Sequence, residues 1–206
     1  MKNTITCYCG VCALDLADDR ATCHFQCGCN SCRQKIQFAE IKGGRKTKPL
    51  PELFLMPSRL REAKGVEHMK AYKLREDAAS TQVYCTQCWA ILGIDQTGYH
   101  NKIFLIFPEF CETTADLSLP LVAYIWMENY NDSIGPAPTK DVPLFESMRY
   151  EQEYKRAFSI PEIGNTFAPP DAPITGFTFR SVVEALAEPT ILGVQEQDNI
   201  FEVYSS

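Results

Sequence analysis

Seven of the ten cysteines fall into three short-spaced groups: Cys7-Tyr8-Cys9, Cys27-Gly28-Cys29-Asn30-Ser31-Cys32 and Cys85-Thr86-Gln87-Cys88. Thiols one or two residues apart converge readily on a metal ion, whereas the sulfurs of a Cys-x-Cys pair do not readily bridge each other. Zinc is the first candidate for such sets, and the two distant pairs suit one tetrahedral four-cysteine site. Because protein fills every coordination position, that site is structural, and its binding free energy feeds into folding. The middle group differs. Three sulfurs on one tight loop can hold a metal from one side and leave its fourth position to water or substrate, as catalytic zinc requires. Cys23 and His24 stand nearest to fill that position, and either one would move the reading from catalysis towards structure. Cys12 and Cys111 belong to apolar β-type surroundings and read as small core residues. His68 and His100 have no ligand-like neighbours.

The segments that carry these groups read as mainly β. ITCYCGVCALDLA alternates around a cysteine-bearing turn, STQVYCTQCWAILGI places strands around the second pair, and KIFLIF is a strong β-type run. The stretch from IQFAEI to LFLMP is broken by Gly43, Gly44, Pro49 and Pro51, with a short buried strand at LFLM. Arg45, Lys46 and Lys48 read as solvated loop. Ten of the thirteen prolines lie at or beyond Pro108, which limits long helices there. LVAYIWM reads as a further strand and NDSIGPAPTKDVP as a loop. LFESMRYEQEYKRAF and TFRSVVEALAE read as helices, the second with Ser181 and Glu184 as a capping box and Pro189 as its stop. IPEIGNTFAPPDAP is the connector between them.

The chain of 206 residues is long enough to bury a core without disulfide staples. Its first residues lack the apolar stretch of a secretory signal, and no run approaches the ~20 apolar residues of a membrane span. The expected setting is cytoplasmic, with no membrane partner. The net charge of −6 is uneven: residues 1–107 carry 15 Lys and Arg against 10 Asp and Glu, and residues 108–206 carry 5 against 16. Seven metal-bound thiolates would offset most of the basic excess of the first half. That is weak footing for a nucleic-acid binder, which shows a concentrated basic face.

Cys7-x-Cys9-Gly10, then Cys27-x-Cys29-x-x-Cys32-Arg33, then Cys85-x-x-Cys88 resembles the glutathione-dependent formaldehyde-activating enzyme family, which includes the centromere protein V type domains. KGVEHMKAYKLREDAASTQVYCTQC is similar to the family's Lys-Gly turn and the strand leading to the second pair, and DLSLPLVAYIWMEN with KDVPLFE to its closing strand and tail. The resemblance covers about residues 3–146. It implies a mainly β fold of the Mss4-like β-tent type in a zinc-binding domain of residues 1–146. Residues 147–206 form a C-terminal extension with one or two short helices. It further implies two Zn2+ per chain, a structural one on Cys7, Cys9, Cys85 and Cys88 and a catalytic one on Cys27, Cys29 and Cys32. Two positions depart from the pattern: Gly28 stands where the family often has His, and Trp89 where Gly usually follows the second pair.

The activity implied is carbon–sulfur lyase-like: a thiol such as glutathione adds to an aldehyde such as formaldehyde at the open three-cysteine zinc, giving an S-hydroxyalkyl adduct. Arg33 either meets a carboxylate of such a ligand through a bidentate fork or makes a salt bridge. The alternative class is a zinc-scaffolded protein-binding module without catalysis. A sulfoxide reductase would need a reactive thiol outside the metal groups.

Overall fold

The computed structural model describes residues 3–139 and 141–204. Strands β1 (Thr4–Thr6), β2 (Ala13–Leu16) and β3 (Cys23–Cys27) lead into helix α1 (Asn30–Ile41). Strands β4 (Glu52–Pro57), β5 (Leu60–Lys64), β6 (Met69–Lys73), β7 (Ser80–Cys85), β8 (Ile91–Gln96), β9 (Ile103–Ile106), β10 (Glu112–Thr113) and β11 (Ala123–Ile125) follow. The C-terminal part holds α2 (Glu151–Phe158), α3 (Pro161–Phe167), α4 (Phe179–Ala185), β12 (Thr190–Ile191) and α5 (Ile200–Tyr204). The protein is therefore mainly β, with two sheets and a few short helices. One sheet has the order β10-β1-β2-β5 and the other β11-β3-β4-β9-β8-β7-β6-β12.

Strand alternation sorts the large sheet's side chains to its two faces. On one face Phe25, Leu53, Leu55, Tyr84 and Leu105 pack with Ile36 and Phe38 of α1. On the other, Phe54, Met56, Val83, Phe104 and Ile106 meet Ile5, Leu14 and Leu16 of the small sheet. Both edges of the large sheet are finished by parallel strands from the C-terminal half. β11 lies beside β3, with Ile125 opposite Cys27, and β12 lies beside β6. Such additions hide backbone groups that an open edge would expose.

Helix α1 is the one α-helix of the mainly β first half, among the described residues, and it stands where a tight loop was expected. Cys29 caps it, its sulfur accepting from the Cys32 amide at 3.2 Å. The helix is buried on nearly every side, including Arg33, Gln34 and Lys35. Its polar residues therefore break the apolar stripe by which an amphipathic helix is recognised.

The extension is more helical than the sequence implied, and α3 occupies the expected connector with Pro161 in its first turn. The first expected helix is confined to Glu151–Phe158. The capping box of α4 is formed by Thr178 and Ser181 rather than Ser181 and Glu184: Thr178 accepts from the Ser181 amide, and Ser181 accepts from the Thr178 amide. Residues 147–204 share the core of the β part. Ala157, Ile163, Val194 and Ile200 are buried with Cys27 and Phe38 in one cluster. Phe179 stacks on Phe104 at 4.4 Å over Gly93, where a Cβ would come within 2.7 Å of the Phe179 ring. Arg180 then clamps α4 to β8 with two hydrogen bonds to the Asp95 carboxylate, at 2.9 and 3.0 Å.

Candidate metal centres

Two hairpins carry the four-cysteine group. The β1–β2 turn presents Cys7 and Cys9, and the β7–β8 turn presents Cys85 and Cys88. Backbone bonds shape the two turns alike: the Cys7 amide donates to the Cys12 carbonyl at 3.1 Å, and the Cys85 amide to the Ala90 carbonyl at 3.0 Å. In each turn the residue after the second cysteine is left-handed, Gly10 at φ +73° and Trp89 at φ +57°. Glycine takes that conformation freely, whereas a side chain costs about 1–2 kcal/mol there. The departure at Trp89 is thus a strained one, offset by burial of its ring among Phe38, Tyr72 and Tyr84.

The four sulfurs lie within 4.8 Å of one another, with Cys7 Sγ 3.4 Å from Cys9 Sγ and Cys9 Sγ 3.7 Å from Cys85 Sγ. Zinc with bonds of about 2.3 Å holds tetrahedral sulfurs roughly 3.8 Å apart. The donor set and the spacing fit that ion. The Cys12 amide donates to Cys7 Sγ at 3.1 Å, the kind of bond that steadies a thiolate ligand. Tyr8, between the first two cysteines, carries the Arg45 guanidinium 3.6 Å over its ring and donates to the Glu109 carbonyl at 2.7 Å. Arg45 lies in the solvated loop expected of it and is exposed, while its guanidinium covers the Tyr8 ring.

The second group is local. Cys27 ends β3, Cys29 caps α1, and Cys32 stands in the first turn of the helix, so one strand-to-helix junction converges the three sulfurs to within 4.8 Å of one another. The expected tight loop is in fact a loop and a helix start. Neither Cys23 nor His24 belongs to the group. Cys23 is four residues back along a strand, about 13 Å at the usual rise, and it is buried beside Thr166. His24 points to the opposite face, where its ring stacks on Phe54 at 4.0 Å and Nδ1 lies 3.2 Å from the Leu119 carbonyl. Among the described residues, three cysteines alone make up this group.

Arg33 is neither a free fork nor a salt bridge of the trio's rim. Its guanidinium donates to the Gly28 carbonyl at 2.6 Å and to the Asn30 side chain, which locks the cysteine loop onto the helix. Gly28 has a physical reason: a Cβ there would lie 2.9 Å from Met127 Sδ and from Tyr130 Cβ, and 3.0 Å from the Trp126 carbonyl. The segment after β11 occupies the room a larger residue would need, and the Gly28 amide donates to the Ile125 carbonyl at 3.0 Å.

No family model matches this sequence, and neither does any curated protein.

All three cysteines of the trio line a cavity of about 320 Å3, with Lys35, Arg75, Tyr99 and Trp126 among its other walls. The thiols share protons unevenly. Hydrogen bonds from Cys27 and Cys32, with the Lys35 ammonium nearby, hold Cys29 well below the usual thiol range, while its bonds to Cys29 and Cys32, reinforced by burial, push Cys27 well above it. Burial raises the Tyr99 phenol, and the trio's charges add to the effect. By contrast Cys12, Cys23 and Cys111 are each pushed up to about 12, chiefly by burial. None of those three has the low pKa a reactive thiol needs. Tyr99, Lys35 and the walls given by the extension carry no spacing signal, because they come from a turn, a helix interior and a distant tail.

Proposed function

We propose that the protein is a zinc-dependent enzyme that adds a thiol to an aldehyde at Cys27, Cys29 and Cys32, in the manner of the glutathione-dependent formaldehyde-activating enzymes and on their β-tent fold. The observation that carries this reading is a three-cysteine group facing a cavity, in a protein whose other sulfur group is closed by four. Zinc, when bound, supplies the acidity that deprotonates a thiol at neutral pH. Lys35, 4% exposed, sets a positive charge against the anionic sulfur cluster. Tyr99 lines the same cavity, so this reading gives it the supply of the proton that the product oxygen requires. Neither Cys23 nor His24 belongs to the trio, so a feature that would have favoured the scaffold-only alternative is not found among the described residues.

The test is zinc per chain in the native protein and in Cys29→Ser, with and without glutathione. Serine keeps an oxygen at the helix cap, so the variant removes a ligand and spares the helix. Two zincs falling to one, with the second perturbed by glutathione, is the expected result. Two zincs in both proteins, indifferent to thiol, would return the trio to the scaffold. Tyr99→Phe should retain two zincs and slow adduct formation about 100-fold.

A further inference from the structure

A second cavity of about 370 Å3 adjoins the one beside the cysteine trio, the two sharing Phe25, Gln96, Tyr99, Ile125, Trp126 and Phe167 as walls. Gly98, His100, Met148, Tyr154, Phe158 and Ile163 complete the second space, the last four from the C-terminal extension. Its lining is mostly aromatic and aliphatic, with Gln96 and His100 as its polar members. Tyr154 stacks on Phe158 at 4.1 Å while remaining 46% exposed, so an apolar lip faces solvent. Two of its bordering residues, Trp126 and His100, hold left-handed backbone at φ +56° and +52°, a strain that gathers where a ligand is clamped.

The size of the space decides what it suits. A cavity of about 150 Å3 lined by apolar side chains already holds benzene. Formaldehyde, one carbon and one oxygen, would leave an apolar room of 370 Å3 with no role. A ring or branched chain on the aldehyde carbon would fill it and bury its surface next to Phe158 and Phe167, with the carbonyl turned to the side where the two cavities adjoin.

We propose that the extension builds a substituent pocket, and that the substrates are aldehydes bearing a large apolar or aromatic group. This rests on the thiol–aldehyde reading above. The thiol adds across the carbonyl: a carbon–sulfur bond forms, the carbon–oxygen π bond breaks, and the proton leaving sulfur is balanced by one gained at oxygen, so no oxidant or reductant is involved.

Two measurements separate the pocket from the reaction. Binding of phenethyl alcohol, which carries the ring and has no aldehyde or thiol, is measured by calorimetry on the zinc-loaded full chain. Adduct formation from glutathione with phenylacetaldehyde or with formaldehyde is followed by NMR. Gly98→Trp is the blocking variant: Gly98 lines the pocket, and a Cβ there meets nothing nearer than Gln96 Nε2 at 3.8 Å. Phe158→Ala is the second variant, which removes a wall. The expected result is binding by the native protein, weakened about 10- to 100-fold in either variant with zinc content unchanged, and faster turnover of phenylacetaldehyde than of formaldehyde. Absence of alcohol binding, or binding that ignores both variants, overturns the pocket. Equal or faster turnover of formaldehyde overturns the substrate class. Variant-sensitive binding with no turnover of either aldehyde supports the pocket and sinks the reaction instead.

Discussion

The two sulfur groups use the same ligand atom and differ in where the chain supplies it. The four-cysteine group draws on hairpins far apart in sequence, one from each sheet, so a metal there ties the sheets together. The three-cysteine group draws on a single junction between β3 and α1 and closes no long loop. Long-range ligands restrict the unfolded chain and so contribute to stability, whereas local ligands present an ion with little effect on global folding. A metal on the trio would then exchange with solvent at little cost to the fold, whereas loss of one from the four-cysteine group would free the two sheets from each other.

The largest expected effect comes from Cys85→Ser. Structural zinc contributes on the order of 10 kcal/mol in small sites, comparable with the about 5–15 kcal/mol net stability of a domain. This variant should lose its cooperative thermal transition in near-ultraviolet circular dichroism, while Cys29→Ser keeps one. Equal melting of the two variants would erase the distinction between stapling and presenting sites. A chelator titration should next remove zinc in two phases, the trio emptying first with tertiary dichroism intact and the four-cysteine group only on unfolding. Acidification should follow the same order. Thiolates are the ligating form, so falling pH adds protons that displace the metal and rising pH restores it.

Smaller changes sharpen the contrast. Gly28→Ala forces its Cβ against Tyr130 Cβ and the Trp126 carbonyl and should cost about 1–3 kcal/mol. Zinc affinity should drop at the trio alone, which metal-competition titration would show. Arg180→Ala removes the clamp between α4 and β8 and should cost about 1 kcal/mol with both zincs retained.

The β character of the chain and the two cysteine-bearing hairpins were legible because strand alternation and short cysteine spacing are local signals. The convergence of Cys7 and Cys9 with Cys85 and Cys88 could be read because metal geometry leaves few other partners for two such pairs. Helix α1 was not legible, since burial of Arg33, Gln34 and Lys35 erases the periodicity that marks a helix. The Thr178 cap carries a weak sequence signal, because its partner Ser181 replaces the usual Glu or Gln of a capping box. The second cavity was invisible for a different reason. Its walls combine β3, the turn at Gly98–His100, the end of β11 and two helices of the extension, a coincidence set only by tertiary packing.

The chain has two tryptophans, and each stands beside one metal group. Trp89 follows Cys88 directly and lies in an aromatic cluster, while Trp126 forms a wall of the trio's cavity. The protein therefore carries its own pair of optical reporters. With Trp89 replaced by Phe, the remaining indole emission would respond to events at the three-cysteine site, and with Trp126 replaced it would follow the staple. Loading of each site can then be timed separately, without any added dye.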